Sequence, residues 1–463
     1  MDAMRVLLVS ANREKLPSAV VPIGVLSVAA AVRDAHEVSV LDLCFEDDPL
    51  GAVATAIERF RPDVVGLGLR NLHDNTYSGS EQLLAYYEDV ASRIRRTTPA
   101  PLVLGGAAIT LRPTQLLERL GASHAVVGEG ERSFRALVDA LARGEHPERI
   151  VTSDIIRARG ELLATSPQEA EHGAAYVQLA RKGATARMPD LDDLPRPARD
   201  LVDPRYFAID GTDSLQTKRG CAFQCTYCDY PDLEGRKVRV RHPDAVVDEM
   251  ANLASSRGVS HAFVVDSVFN VPRSHALAVC RAMVERNVVL PWVCYVSPAS
   301  LDEELVESMA RAGCIGAEIG TDSGSARVLE RLRKPFTLDQ VRRVRAAFRT
   351  HGIADCHTFV LGAEGETVAE AERTLAFVEE LDPDVAVFIV YMEDRESRGV
   401  GRAEHRQALL DLLARQAPKR PGWIVPELGI RFGAKVSAFL QRAHLRGPGW
   451  VHLARARRGI ASR

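Results

Sequence analysis

MRVLLVS (residues 4–10), PIGVLSVAAAVRDA (22–35) and EVSVLDL (37–43) follow one another at the start of the chain. The first and third are short apolar runs rich in Val and Leu. The second carries apolar residues at i, i+3 and i+4, the spacing of a helix face. Strand, helix, strand is the unit of a parallel sheet, and a strand apolar on both sides belongs to a sheet covered on both faces. The rhythm continues with a helix over 50–60, DVVGLGL (63–69), a helix over 80–96, PLVLGG (101–106), a short helix in PTQLLERL (113–120), SHAVVGEGE (123–131) and a closing helix in ERSFRALVDALARG (131–144). Residues 1–145 therefore predict a doubly wound, flavodoxin-like (Rossmann-type) α/β domain. Ligands of such sheets sit at the carboxyl ends of the strands. Those ends are Ser10-Ala11-Asn12, Arg70-Asn71, Gly105-Gly106-Ala107-Ala108 and Gly128-Glu129-Gly130-Glu131. Their small residues would let a flat ligand approach the backbone.

Alternation fades over 146–205, where MPDLDDLPRPARD (188–200) reads as a connecting segment, and resumes over 206–395. HAFVVDSVF, LPWVCYVS, CIGAEIGTDSG, ADCHTFVLG and VAVFIVYME read as strands separated by helical stretches such as TLDQVRRVRAAFRTHG. About six βα units are fewer than the eight of a closed barrel, so a partial, open barrel is expected. Residues 396–463 form a short basic region with a helix near 403–416. Its Trp423, Phe432 and Trp450 either cap the barrel or pack on it.

With 463 residues, 46% hydrophobic and 26% charged, the chain has ample core for two domains. A net charge of -3 offers no field for nucleic acid or an anionic membrane. The first fifteen residues lack a basic region ahead of their short apolar run, unlike a signal peptide. VPIGVLSVAAAV is too short to span a bilayer. A cytoplasmic protein with neither membrane nor nucleic-acid partner is expected. In that compartment the eight cysteines are thiols or ligands and not disulfides. Cys44, Cys280, Cys294, Cys314 and Cys356 are scattered through apolar surroundings and read as buried small residues.

Cys221, Cys225 and Cys228 are different. TKRGCAFQCTYCDYP (217–231) sets them at C-x3-C-x2-C on one loop. Thiolates hold iron–sulfur clusters with one ligand per iron, so three of them leave one iron of a [4Fe–4S] cube open for a substrate. Zinc would want a fourth Cys or His at local spacing, and the nearest histidine, His242, lies well beyond. This motif, with Tyr227 before the third cysteine, resembles the signature of radical S-adenosylmethionine (SAM) enzymes. VVDSVF, GTDSG and FVLGAEGET resemble that superfamily's strand-end motifs, over roughly residues 210–395. The resemblance implies that Cys221, Cys225 and Cys228 bind the cluster, that the open iron takes SAM, and that reductive cleavage yields a 5′-deoxyadenosyl radical. It also implies SAM contacts from the backbone of Tyr227, from Asp266 and Ser267, and from Ser297, Glu318 and Asp322. Asp322 stands where the family often has Glu, one methylene longer.

The amino-terminal domain resembles that of the cobalamin-binding subclass, in PIGVLSVAAAVR, PDVVGLGLRN, VLGGAAIT and VVGEGERSF. The strand ends named above are then cobalamin contacts. The loop after the first strand has no histidine to ligate cobalt. Asp34-Ala35-His36 is a near match to the cobalt-ligating D-x-H-x-x-G but lacks the Gly and lies between the first helix and second strand. Arg70 is expected beneath the cobalt instead. The implied function is a cobalamin-dependent radical SAM methyltransferase using methylcobalamin, acting on an unactivated carbon of a small metabolite or natural-product intermediate. An external reductant of flavodoxin or ferredoxin type would supply it. The alternatives are ring closure, ring contraction or rearrangement with the same cofactors, and methylthiolation, which wants cysteines for a second cluster where this chain has only Cys44. Tyr391, Met392 and Glu393 are candidates to face substrate.

Overall fold

The computed structural model describes residues 2–15, 18–72, 79–151, 190–390, 400–431 and 434–459. Tyr391–Glu393 and Phe432 lie outside them. Strands β1 (Arg5–Ser10), β2 (Glu37–Asp42), β3 (Val64–Gly68), β4 (Leu102–Gly105), β5 (His124–Val126) and β6 (Ile150–Val151) form one parallel sheet in the order β2-β1-β3-β4-β5-β6. Alternate residues explain its two covers. Leu7, Val9, Val65, Leu67 and Leu104 pack with Val53, Ile57, Val90 and Leu116 on one side. Val6, Leu8, Val64 and Val103 pack with Ala29, Val32, Phe134 and Leu137 on the other. β6 comes from the segment expected to be a connection. It is two residues long, and its pairing to β5 (Ala125↔Ile150, Val126↔Val151), not its composition, makes it a strand.

The second sheet contains β7 (Thr212–Leu215), β10 (His261–Val264), β11 (Trp292–Val296), β12 (Cys314–Asp322), β13 (Ala354–Leu361), β14 (Val385–Val390) and β15 (Trp423–Ile424). All neighbours are parallel, in the order β15-β14-β13-β12-β11-β10-β7. This is the expected open barrel of six strands with a two-residue seventh at its edge. Between β7 and β10, β8 (Lys218–Arg219) and β9 (Arg239–Val240) pair antiparallel as a separate ribbon. The cysteine loop hangs from that ribbon.

Helices cover the outer face. Val264, Trp292, Cys294, Ala317 and Ile319 pack with Leu277, Met283, Leu305 and Phe348. Thr337 and Thr367 each cap a helix in a reciprocal box with Gln340 and Glu370, which fixes where those helices begin. The inner face is closed from below by the helix Gly449–Arg457. Its Trp450, Val451 and Ala454 pack on Val293, Ala354, Cys356 and Val385. Arg446 donates to the carbonyl of Phe207 at 2.8 Å, and Arg457 and Arg458 reach the carbonyls of Asp384 and Ile353 at 2.7 and 2.9 Å. Among the described residues no helix is long and apolar enough to cross a membrane.

Candidate active site

The backbone around the cysteines is held from several sides. Gly220 has φ 97°, and a Cβ there would lie 2.4 Å from the Lys237 carbonyl, so only glycine fits the turn into the loop. Its N–H donates to Glu234 Oε2 at 3.0 Å and its carbonyl accepts from Ser267 Oγ at 3.1 Å. Cys221 N–H donates to the Gly235 carbonyl at 2.8 Å, and Thr226 N–H to that of Leu332 at 3.2 Å. Asp266 is fully buried. It accepts from the N–H and Oγ1 of Thr217 at 2.8 and 2.5 Å and from the Lys218 N–H at 3.2 Å. Its carboxylate thus fixes the strand that leads into the loop. Ser297 is likewise occupied: its N–H donates to Asn270 Oδ1 at 2.9 Å and its Oγ accepts from Ala299.

Asp322 ends β12 with φ 64°. Its Oδ2 accepts from the Tyr227 hydroxyl at 2.7 Å and pairs with Lys334 Nζ at 2.7 Å. Lys334 also lies 5.7 Å from the centre of the Tyr227 ring, a cation–π distance. Asp322 is therefore a clamp on the cysteine loop. Lys334 completes it, a residue that sequence reasoning missed. Its signal was a lone lysine in RKPF, directly after the helix that follows GTDSG.

Cys225 and Cys228 feel the charge of their neighbouring thiols. Burial pushes Cys228 up to about 11, with Cys225 and Cys221 adding to the rise and Lys334 opposing it. Burial also raises Cys225, again against Lys334. Despite burial, Asp322 and the thiols hold Lys334 above its usual value. Cys225 and Cys228, both raised by burial, share one loop with Cys221 beside a buried cation, and that donor set suits an iron–sulfur cluster with three thiolates, although among the described residues the side chains are not gathered into a metal-holding group.

The end of the first sheet divides into two parts. Gly105 faces open space, with nothing within 4 Å of a built Cβ. Gly106 has φ 98° and would put a Cβ 2.5 Å from the Leu69 carbonyl, so its need for glycine comes from the turn. Ala107 and Ala108 begin a short helix, and Gly128 (φ 81°) donates to Thr110 Oγ1 at 3.0 Å. Ala11 and Ser10 are buried, Asn12 is half-buried, and Arg70 and Asn71 are exposed. The Arg70 charge reaches Tyr230 and Tyr295 of the barrel, so the end of β3 looks toward the barrel mouth. The open space at Gly105 and the exposed ends of β3 suit a flat cofactor.

Glu129 and Glu131 serve the other domain. Glu131 pairs with Arg219 at 2.6 Å, and Glu129 with Arg239 at 2.6 Å and Arg219 at 3.6 Å. Burial pushes Glu131 up, but Arg219 outweighs it and holds the carboxyl below its usual range. This clasp ties the cobalamin-type sheet to the ribbon β8–β9 that carries the cysteines. Gly130 starts the helix between the two acids. His36 is buried, bonded to the Met4 N–H at 3.2 Å and to Asp139 at 2.8 Å, in keeping with a loop residue and not a cobalt ligand. The five scattered cysteines are all buried.

Two family models match the chain: a B12 binding domain over residues 9–138 and the Radical SAM superfamily over 215–378. The chain is a radical SAM enzyme with a cobalamin-binding domain ahead of its barrel, and it resembles the cobalamin-dependent radical SAM methyltransferases. Tryptophan 2-C-methyltransferase of Streptomyces laurentii is 27% identical over 83% of this chain and 71% of that enzyme. An uncharacterised methyltransferase of Pyrococcus horikoshii is 26% identical over 84% of this chain and 81% of its own length. Among solved structures, the methyltransferase TsrM of Kitasatospora setae, with cobalamin and a [4Fe–4S] cluster bound, superimposes with a TM-score of 0.70. It is 26% identical and the match covers 84% of this chain and 72% of that one.

Proposed function

We propose that this chain methylates an unactivated carbon of a small metabolite or natural-product intermediate, as a cobalamin-dependent radical SAM methyltransferase. The observation that carries the reading is the clasp of Arg219 and Arg239 on Glu129 and Glu131. It fixes the stem of the three-thiol loop against the open strand ends of the amino-terminal sheet. The relatives' methyl-transfer names support the same reading.

When bound, the cluster with SAM supplies a carbon radical by hydrogen abstraction, and cobalamin supplies the methyl group. An sp3 carbon is too poor a nucleophile to attack SAM itself, which is why both are wanted. Cys221, Cys225 and Cys228 hold the cluster. Asp266 and Ser267 keep the loop's stem in place, and Asp322 with Lys334 orients Tyr227 at its tip. Gly105 would leave room for a corrinoid ring, and the exposed Arg70, just past the end of β3, would stand beside it. The helix Gly449–Arg457 excludes water from below. Electrons come from an external reductant of flavodoxin or ferredoxin type.

The test is anaerobic purification, cluster rebuilding, cobalamin loading, removal of excess, then iron and cobalt counts with an absorption spectrum. About four irons with retained cobalamin in its base-off form support the reading. Product mass one methylene above substrate separates methylation from ring closure or rearrangement. Iron without cobalt overturns the amino-terminal assignment.

A further inference from the structure

On the inner face of the barrel, register aligns Tyr295 on β11, Glu318 on β12 and Cys356 on β13 in one row. Their neighbours Cys294, Ala317 and Ile319 pack outward among the helices, so this row points inward. Below it, Gly316 makes room for the tail: a Cβ there would lie 2.5 Å from the Trp450 ring. The indole Nε1 donates to Glu318 Oε1 at 3.0 Å. Tyr295 keeps 38% of its surface open although it stands mid-sheet, and Phe263 packs against its ring at 5.0 Å.

Glu318 is distinct among the acids of this sheet. Asp213 has Arg199, Asp322 has Lys334, and Asp355 has Arg345. Among the described residues no cation pairs with Glu318. A carboxylate within a protein is costly unless a positive partner compensates it. Holding Trp450 does not call for a charge, since any carbonyl oxygen accepts an indole N–H. The tail is also secured separately by Arg446, Arg457 and Arg458.

We propose that Glu318 is the anchor for a protonated amine of the substrate, seated on the barrel floor against the rings of Tyr295 and Phe263. A cation flanked by a carboxylate and aromatic faces is doubly compensated. Burial without a cation pushes Glu318 up to about 7, the state expected of an acid whose partner arrives with the ligand. The proposal rests on the reading above only in taking the barrel interior as the substrate site, and names the substrate class as an amine.

The test uses the cofactor-loaded full chain and three probes of one shape: phenethylamine, phenethyl alcohol and 3-phenylpropionate. Binding is read by ligand-observed NMR titration. The amine is expected to bind at least about tenfold more tightly than the other two, the order of one charge-assisted hydrogen bond. Glu318→Gln keeps an acceptor for Trp450 and should bring the amine to the level of the alcohol. Trp450→Phe should keep the preference. Equal binding of all three probes, no amine binding at millimolar concentration, or a preference that survives Glu318→Gln overturns the proposal. The comparison among probes on the unaltered chain stands even if a variant misfolds. Iron and cobalt counts and product mass report separately on methyl transfer, so either idea can fail without the other.

Discussion

The two parallel sheets of this protein obey the same local rules and end up with different chemical opportunities. The amino-terminal sheet is covered on both faces, so its strand side chains are consumed by packing and only its carboxyl ends can meet a ligand. The barrel sheet is covered by helices on one face and plugged from below on the other. Side chains halfway along its strands therefore remain open to the interior. Function in the first sheet is confined to an edge; in the second it extends down a wall.

The largest effect should come from Cys225→Ala. It removes one of three thiolates, and the loaded protein should lose the cluster's absorption and fall to background in SAM cleavage, read by product analysis. The amino-terminal sheet should still retain cobalamin; joint loss of both would break the contrast between the two regions. Next, Arg219→Met takes from the buried Glu131 the cation that pairs with it. Thermal and denaturant unfolding should show destabilisation of about 3–5 kcal/mol.

Two neighbouring glycines sharpen the picture of the edge. Gly106→Ala must take φ 98° and meet the Leu69 carbonyl, so a cost of about 1–3 kcal/mol is expected. Gly105→Ala meets nothing, and its stability should stay within about 0.5 kcal/mol of the parent. Cobalamin retention should nevertheless drop in Gly105→Ala, because the added methyl enters the space where the ring is expected.

The smallest effect belongs to the wall. Glu318 is raised from 4.5 to about 7 on folding, so the folded chain holds a proton that the unfolded chain releases. That contribution to stability is complete below the unfolded value and is lost as pH rises through the folded one. Stability of Glu318→Gln relative to the parent should therefore climb between pH 4.5 and about 7 and then level off. Taking the difference matters, because Glu366 is also pushed up to about 7 by burial and titrates in the same window.

What was legible in the sequence follows from range. Strands such as Arg5–Ser10 and Val385–Val390 announce themselves because their own apolar residues decide them. β6 and β15 do not, since two residues become a strand only by pairing with a neighbour. The cysteine loop is legible because its ligands are local. The roles of the acids are less so. Glu129 and Glu131 look like cofactor contacts until Arg219 and Arg239, far along the chain, are seen to claim them. Asp266 looks like a strand-end ligand until Thr217 is found beneath it. The pairing of Glu318 with Trp450 spans 132 positions, and no local pattern encodes it.

The Arg219 clasp also bears on how such proteins can be recombined. Arg219 lies two residues before the first cluster cysteine and is fastened into the other domain. A barrel transplanted onto a foreign amino-terminal sheet would carry one buried and one half-buried arginine in search of acids. The two halves are therefore exchangeable only as matched charge sets, and a hybrid that restores Glu129 and Glu131 should assemble where one without them does not.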